Sequence, residues 1–138
     1  MLKKYLSNQR GLTLVELLAV VVILGIVSTI AVVSIGNVIQ NSREDAVRAD
    51  AIQILNAAEL YVSSGGEIGT TATIGPDELG DTLAREGAFE DVTWTVGRNL
   101  DGQLTITATN VPAGSTTMNF NGATVNQIND GKGKVDIP

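Results

Sequence analysis

Glu16 is the one charged residue between Gly11 and Arg43, and it stands near the start of a long run of apolar side chains. A carboxylate placed at that depth in a nonpolar medium costs up to a few kcal/mol, less near the interface than at the centre. It therefore needs a counter-charge, and residues 17–42 carry none. A cut after Gly11 would create one. Leu12 would then bear a positively charged α-amine, and Glu16 would be the fifth residue of the trimmed chain. Four residues make about one helical turn, so amine and carboxylate share a face within one helix. In a stack of such helices the carboxylate of an incoming copy can instead meet the amine of its neighbour. A buried charge left alone is costly, whereas a paired and hydrogen-bonded one is tolerated. The stranded acid thus becomes a register device, satisfied only on docking.

The remaining chemistry is sparse. The 138 residues contain no Cys, which removes disulfides, thiolate metal sites and a Cys nucleophile. They contain no His either, which removes His-based triads, most zinc sites and the commonest general base. Asp77-Glu78 and Glu90-Asp91 are acid pairs of the kind used in general acid/base work, but with no convergent partner they read as solvated surface. Residues 126–136 (NQINDGKGKVD) have a loose likeness to a calcium loop. They lack the regular acidic spacing and the closing bidentate Glu, and Lys132 and Lys134 would repel a cation, so a solvated turn is expected. The glycines at 65 and 66 lack the Gly-Lys-Ser/Thr context of a phosphate loop. No catalytic constellation, cofactor site or metal site is expected.

These residues sit on a chain divided sharply by composition. Apolar residues make up 43% but aromatics only 4%, and much of the apolar content lies between Leu12 and Ile39. The first ten residues hold Lys3, Lys4 and Arg10 and no acid; removing that +3 from the formal net charge of −6 leaves −9 for the rest. A head this acidic is poorly suited to tracking phosphate backbones. Residues 17–35, as a helix, would span roughly 28 Å at about 1.5 Å per residue, which matches a hydrocarbon core of about 30 Å. The basic flank predicts that the N-terminal end stays cytoplasmic. The run is too long for a secretory signal peptide, and a plain anchor would not need Gly11 and Glu16 together.

From residue 37 the period stays helical but becomes amphipathic. Val47, Ala51, Ile54, Leu55, Ala58, Tyr61 and Val62 fall on one face, the predicted seat for the chain's own sheet. Ala49, Ile52 and Leu60 point elsewhere and could face neighbouring helices. Glu44 and Arg48 are spaced for an i, i+4 pair, and Gly65-Gly66 supplies a stop. The pattern predicts one helix over 12–63, lipid-compatible over 12–36 and amphipathic over 37–63, followed by a β-rich head over 64–138. In the head, 76–86 reads as a short helix with Pro at its first position. Strands are expected at 92–98 and 103–109, joined by a turn at 99–102. Two more, at 116–120 and 123–126, flank Asn121-Gly122, a strong hairpin signal. A last strand is expected near 135–137. The predicted class is α+β, a long N-terminal helix packed against a small antiparallel sheet.

The stretch Gly11-Leu12-Thr13-Leu14-Val15-Glu16, behind the basic leader MLKKYLSNQRG, resembles the type IV prepilin leader and helix found in pilins and in type II secretion and competence pseudopilins. The resemblance covers roughly residues 1–62. It implies removal of residues 1–11 by a membrane prepilin peptidase, N-methylation of Leu12, and a role for Glu16 and Thr13 in filament assembly. It also implies a homopolymer raised by a separate assembly machinery with minor pilins, single-pass in the plasma membrane before assembly and extracellular after it. Leu12 stands where Phe is commoner, and Val33 where many members carry Pro. Gly25, Ser28, Thr29 and Gly36 lower helix propensity in that region without forcing a break. The absence of Cys, with the leader and the LAVVVILGI core, is similar to pilins of Gram-positive bacteria.

Three function classes follow: a major pilin serving adhesion, aggregation or motility; a pseudopilin of a competence or type II secretion-like machine; and a membrane-anchored enzyme. The missing constellation disfavours the third. A mature chain of 127 residues (138 minus 11) with a full α+β head favours the first.

Overall fold

The computed structural model of the chain describes residues 2–83, 85–131 and 135–136; for residues 2–12, 33, 34 and 81 it describes the backbone alone. The chain divides into two compact units, Met1–Ile39 and Gln40–Pro138. Helix α1 runs over Leu2–Ser63. It begins ten residues earlier than expected from the leader's composition. Leu, Lys, Gln and Arg in that segment are good helix formers, and the cost of Gly11, about 1 kcal/mol, does not offset them. Gly65, at φ 103°, ends the helix, and the Gly66 N–H donates to the Tyr61 carbonyl at 3.0 Å, so the expected stop is where the glycines are.

In the second unit, residues 40–63 of α1 lie against a four-stranded antiparallel sheet ordered β1-β2-β3-β4, with β1 at Trp94–Arg98, β2 at Leu104–Ala113, β3 at Thr116–Ala123 and β4 at Val135–Asp136. The expected α+β architecture is therefore the observed one. Val47, Ala51, Ile54, Leu55 and Ala58 are buried against Trp94, Val96, Ile106, Ala108, Val111, Met118 and Phe120. Phe89 and Phe120 meet with ring centroids 5.5 Å apart. Tyr61 and Val62, on the expected core-facing stripe, pack only at its margin; Ile52, expected to point elsewhere, packs there too, and Ala49 and Leu60 are exposed. Arg48 does not pair with Glu44. It pairs with Asp45 at 2.9 Å, while Glu44 accepts from Gln40 at 3.0 Å.

Four expectations for the head need correction. The helix expected over 76–86 is only α2, Pro76–Leu79, followed by a 3-10 turn at Gly80–Thr82. Gly80 leaves helical backbone (φ 10°, ψ −94°) and Leu83 is extended. The first strand starts at Trp94, because residues 87–92 are taken up by a 3-10 turn and its exit. The Asn121-Gly122 hairpin does not exist: β3 runs straight through those residues. Gly122, at φ 61°, is instead the extra residue of a bulge, because Ile106 pairs with Ala123 while Thr107 pairs with Asn121. The true hairpin turn lies at Gly114-Ser115, between a β2 that continues to Ala113 and β3. A second bulge sits between Ala108 and Val111, where Asn110 takes φ 58° and its N–H donates to Asn119 Oδ1 at 2.8 Å.

The fourth correction concerns 123–126, expected as a strand. Val125–Asp130 is helix α3, capped by Thr124, whose Oγ1 accepts from Gln127 N–H while Gln127 Oε1 accepts from Thr124 N–H. This capping box, Thr-x-x-Gln, overrides the β-prone residues. It also replaces the first half of the solvated turn expected over 126–136. Ile137, the end of the last expected strand, lies outside the described residues.

Candidate functional site

In the first unit every described side chain is solvent-facing. Leu14, Val15, Leu17, Leu18, Val21 and Ile30 are each more than 60% exposed. An apolar surface of that extent is a surface for lipid or for other helices, not for water. From Thr13, α1 is long and apolar enough to cross a membrane. Two of its hydroxyls are satisfied within the helix. Ser28 Oγ donates to the Leu24 carbonyl at 2.6 Å, and Thr29 Oγ1 reaches the Gly25 and Ile26 carbonyls at 3.0 and 2.8 Å. That local back-bonding is what makes hydroxyls tolerable in an apolar medium.

Glu16 and Thr13 are both exposed on this helix. The side chain of Leu12 lies outside those described, and Gly11 and Leu12 are helical in backbone. Glu16 is one turn along from Leu12, so the helical spacing required for a shared face is present in the chain. Among the side chains described in the first unit, Glu16 is the sole ionisable one.

Several carboxylates of the second unit have structural duties that the sequence did not reveal. Asp50, on α1, accepts the Ala88 N–H at 2.9 Å and so holds the 3-10 turn at Gly87–Phe89. Glu78 caps the start of α2 by accepting the Gly75 N–H at 2.8 Å, and Glu86 accepts from Trp94 Nε1 at 3.1 Å. Such roles become visible only when the partner elements are placed, since Asp50 and Ala88 are 38 residues apart. Glu90 and Asp91 are exposed. Among the described residues no three acidic side chains converge in a way that could hold a metal. A cleft of about 380 Å³ in the second unit lies between Glu59, Ser63, Arg98, Leu104 and Asn126. Its Arg98 is occupied, with Nε on the Ile68 carbonyl at 3.3 Å and Nη1 on the Gly102 carbonyl at 2.5 Å.

The fold and this surface together define a class: an exposed apolar N-terminal helical segment, residues 13–39, that carries one acid and is continuous in sequence with a small α+β head. Residues 6–32 match the prokaryotic N-terminal methylation motif, which supports a type IV pilin-like prepilin, of pilin or pseudopilin type, and points to a structural protein rather than an enzyme. A motif of this kind implies processing by a prepilin peptidase, and the apolar helix is consistent with membrane anchoring. No curated protein and no solved structure matches the chain.

Proposed function

We propose that this chain is the major pilin of an extracellular type IV pilus filament of the Gram-positive kind, serving adhesion, aggregation or twitching motility. The observation that carries the reading is the match of residues 6–32 to the methylation motif, with Glu16 as the lone acid in the exposed apolar segment of the helix. In this reading residues 1–11 are the leader, 12–36 the membrane and filament-core segment, 37–63 the amphipathic half that seats the sheet, and 64–138 the head. Prepilin peptidase cuts between Gly11 and Leu12, and Leu12 is then N-methylated.

The subunit waits in the plasma membrane with the basic leader inside. On assembly its helix exchanges lipid for protein, an exchange with little hydrophobic driving force, so packing and polar pairing must supply specificity. Glu16 pairs with the neighbour's Leu12 amine, and Thr13 adds a polar contact beside it. The filament is a homopolymer in which minor pilins and the assembly machinery participate, with no nucleic acid binding along an acidic shaft. The alternative is a pseudopilin of a competence or type II secretion-like machine, which uses the same processing to build a shorter fibre.

The test is direct. Glu16→Ala should leave insertion and cleavage intact but abolish filaments in electron micrographs of expressing cells; normal filaments would refute the role of Glu16. Gly11→Val should block processing, and a mature N-terminus still at Leu12 by mass spectrometry would count against the cleavage site. Long surface filaments favour the major pilin, and short periplasmic or wall-embedded fibres favour the alternative.

A further inference from the structure

The Asn121-Gly122 step, freed from the hairpin role, has another chemistry. Asn followed by Gly is the sequence most prone to lose its side-chain amide, because glycine's missing Cβ leaves ring closure unhindered. The Gly122 nitrogen, once deprotonated by solvent base, attacks Asn121 Cγ. A new N–Cγ bond forms, the Cγ–Nδ2 bond breaks, and ammonia leaves. Water then opens the resulting succinimide at either carbonyl, giving aspartate or isoaspartate at 121. Asn121 is exposed, so solvent base and water both reach it.

We propose that Asn121 is a latent deamidation site that the folded head keeps closed through Thr107. Two features close it. The Gly122 N–H donates to Thr107 Oγ1 at 3.1 Å, which holds back the proton that must leave before attack. The register pair Thr107↔Asn121 and the bulge at Gly122 hold the Asn121 backbone in strand geometry, away from the arrangement that brings Cγ onto the following nitrogen. The two Asp-Gly steps are also held at the glycine N–H. Gly102, after Asp101, donates to the Asn99 carbonyl at 3.0 Å, and Gly131, after Asp130, donates to the Ile128 carbonyl at 3.3 Å. Those acceptors are backbone atoms that no side-chain change removes. At Asn121 the guard is a single exposed hydroxyl, and so it is separable.

The consequence of opening is local but lasting. Residue 121 lies between the fully buried Phe120 and Ala123, with Gly122 intervening. An isoaspartate there adds a backbone atom to β3 and breaks the register on which both core residues depend.

The test is peptide mapping by mass spectrometry of the detergent-solubilised full chain, incubated at neutral pH and sampled for aspartate and isoaspartate at 121. Conversion should be slow in the folded wild type and fast in urea. Thr107→Val should raise the folded-state rate roughly threefold to tenfold, the worth of one net hydrogen bond, while Thr107→Ser, which keeps the hydroxyl, should stay at the wild-type rate. Isomerisation at Asp101 and Asp130 reports unfolding in the same digest. Equal rates for folded and urea-treated wild type would overturn the closed state. Thr107→Val at the wild-type rate would overturn the role of Thr107, as would a rise in Thr107→Val matched at Asp101 and Asp130 or reproduced by Thr107→Ser.

Discussion

Gln40 is the first residue of the second unit, and its carboxamide gathers the β2–β3 turn onto α1. Nε2 lies 2.7 Å from the Ala113 carbonyl, 3.0 Å from Glu44 Oε1 and 3.1 Å from Thr116 Oγ1, while Oε1 accepts from Ser115 N–H at 3.2 Å and Ser115 Oγ at 3.0 Å. An amide nitrogen has only two hydrogens, so two of its three acceptors are served at a time. Gln40→Ala therefore removes about four hydrogen bonds. The site is half-buried and water replaces some of them, so the expected loss is about 2 kcal/mol rather than four full contributions. Gln40→Glu is the sharper probe. It keeps shape and acceptor oxygens but offers no donor, and it sets a carboxylate beside the Ala113 carbonyl and Glu44. It should destabilise at least as much as Gln40→Ala. Denaturant unfolding of the detergent-solubilised full chain can be followed through Trp94, the single Trp in the chain and 1% exposed in the head. An unchanged midpoint for Gln40→Glu would refute the assignment of this latch.

Three further outcomes use the same signal. Gly114→Ala should cost about 1 kcal/mol or more from its φ of 73°, and a Cβ there would also collide with Arg43 and Gln40, so Gly114→Ala in a Gln40→Ala background should cost less than in the wild type. Phe120→Ala, at a fully buried position packed at a tilt against Phe89, should cost about 3–5 kcal/mol and leave Trp94 emission red-shifted at low denaturant. Leu100→Ser should change stability by less than about 0.5 kcal/mol, because Leu100 is 97% exposed at the tip of the β1–β2 turn; a larger loss would mean that the tip is packed in solution.

The contrast between what was and was not legible runs along the chain. Over residues 12–63 the pattern alone specified a helix, its apolar half, its core-facing stripe and its glycine stop. Helical periodicity is a local property repeated many times, so no single competing contact can overturn it. The stranded Glu16 was equally legible, since a lone acid in an uncharged run is visible without coordinates.

The head was different. Asn121-Gly122 offers left-handed backbone, but such backbone suits a bulge as well as a turn, and only the pairing of β3 with β2 decided between them. Thr124 to Asn126 reads as strand until Gln127 closes a cap from three residues away. Asp50, Glu86 and Gln40 look like solvated surface until distant backbone groups arrive beside them. The sequence by itself determined the elements whose cause is repetition and the charge that has nowhere to go. Tertiary structure decided register, turn position and the tasks of single polar side chains, because each of those depends on a partner far away in the chain.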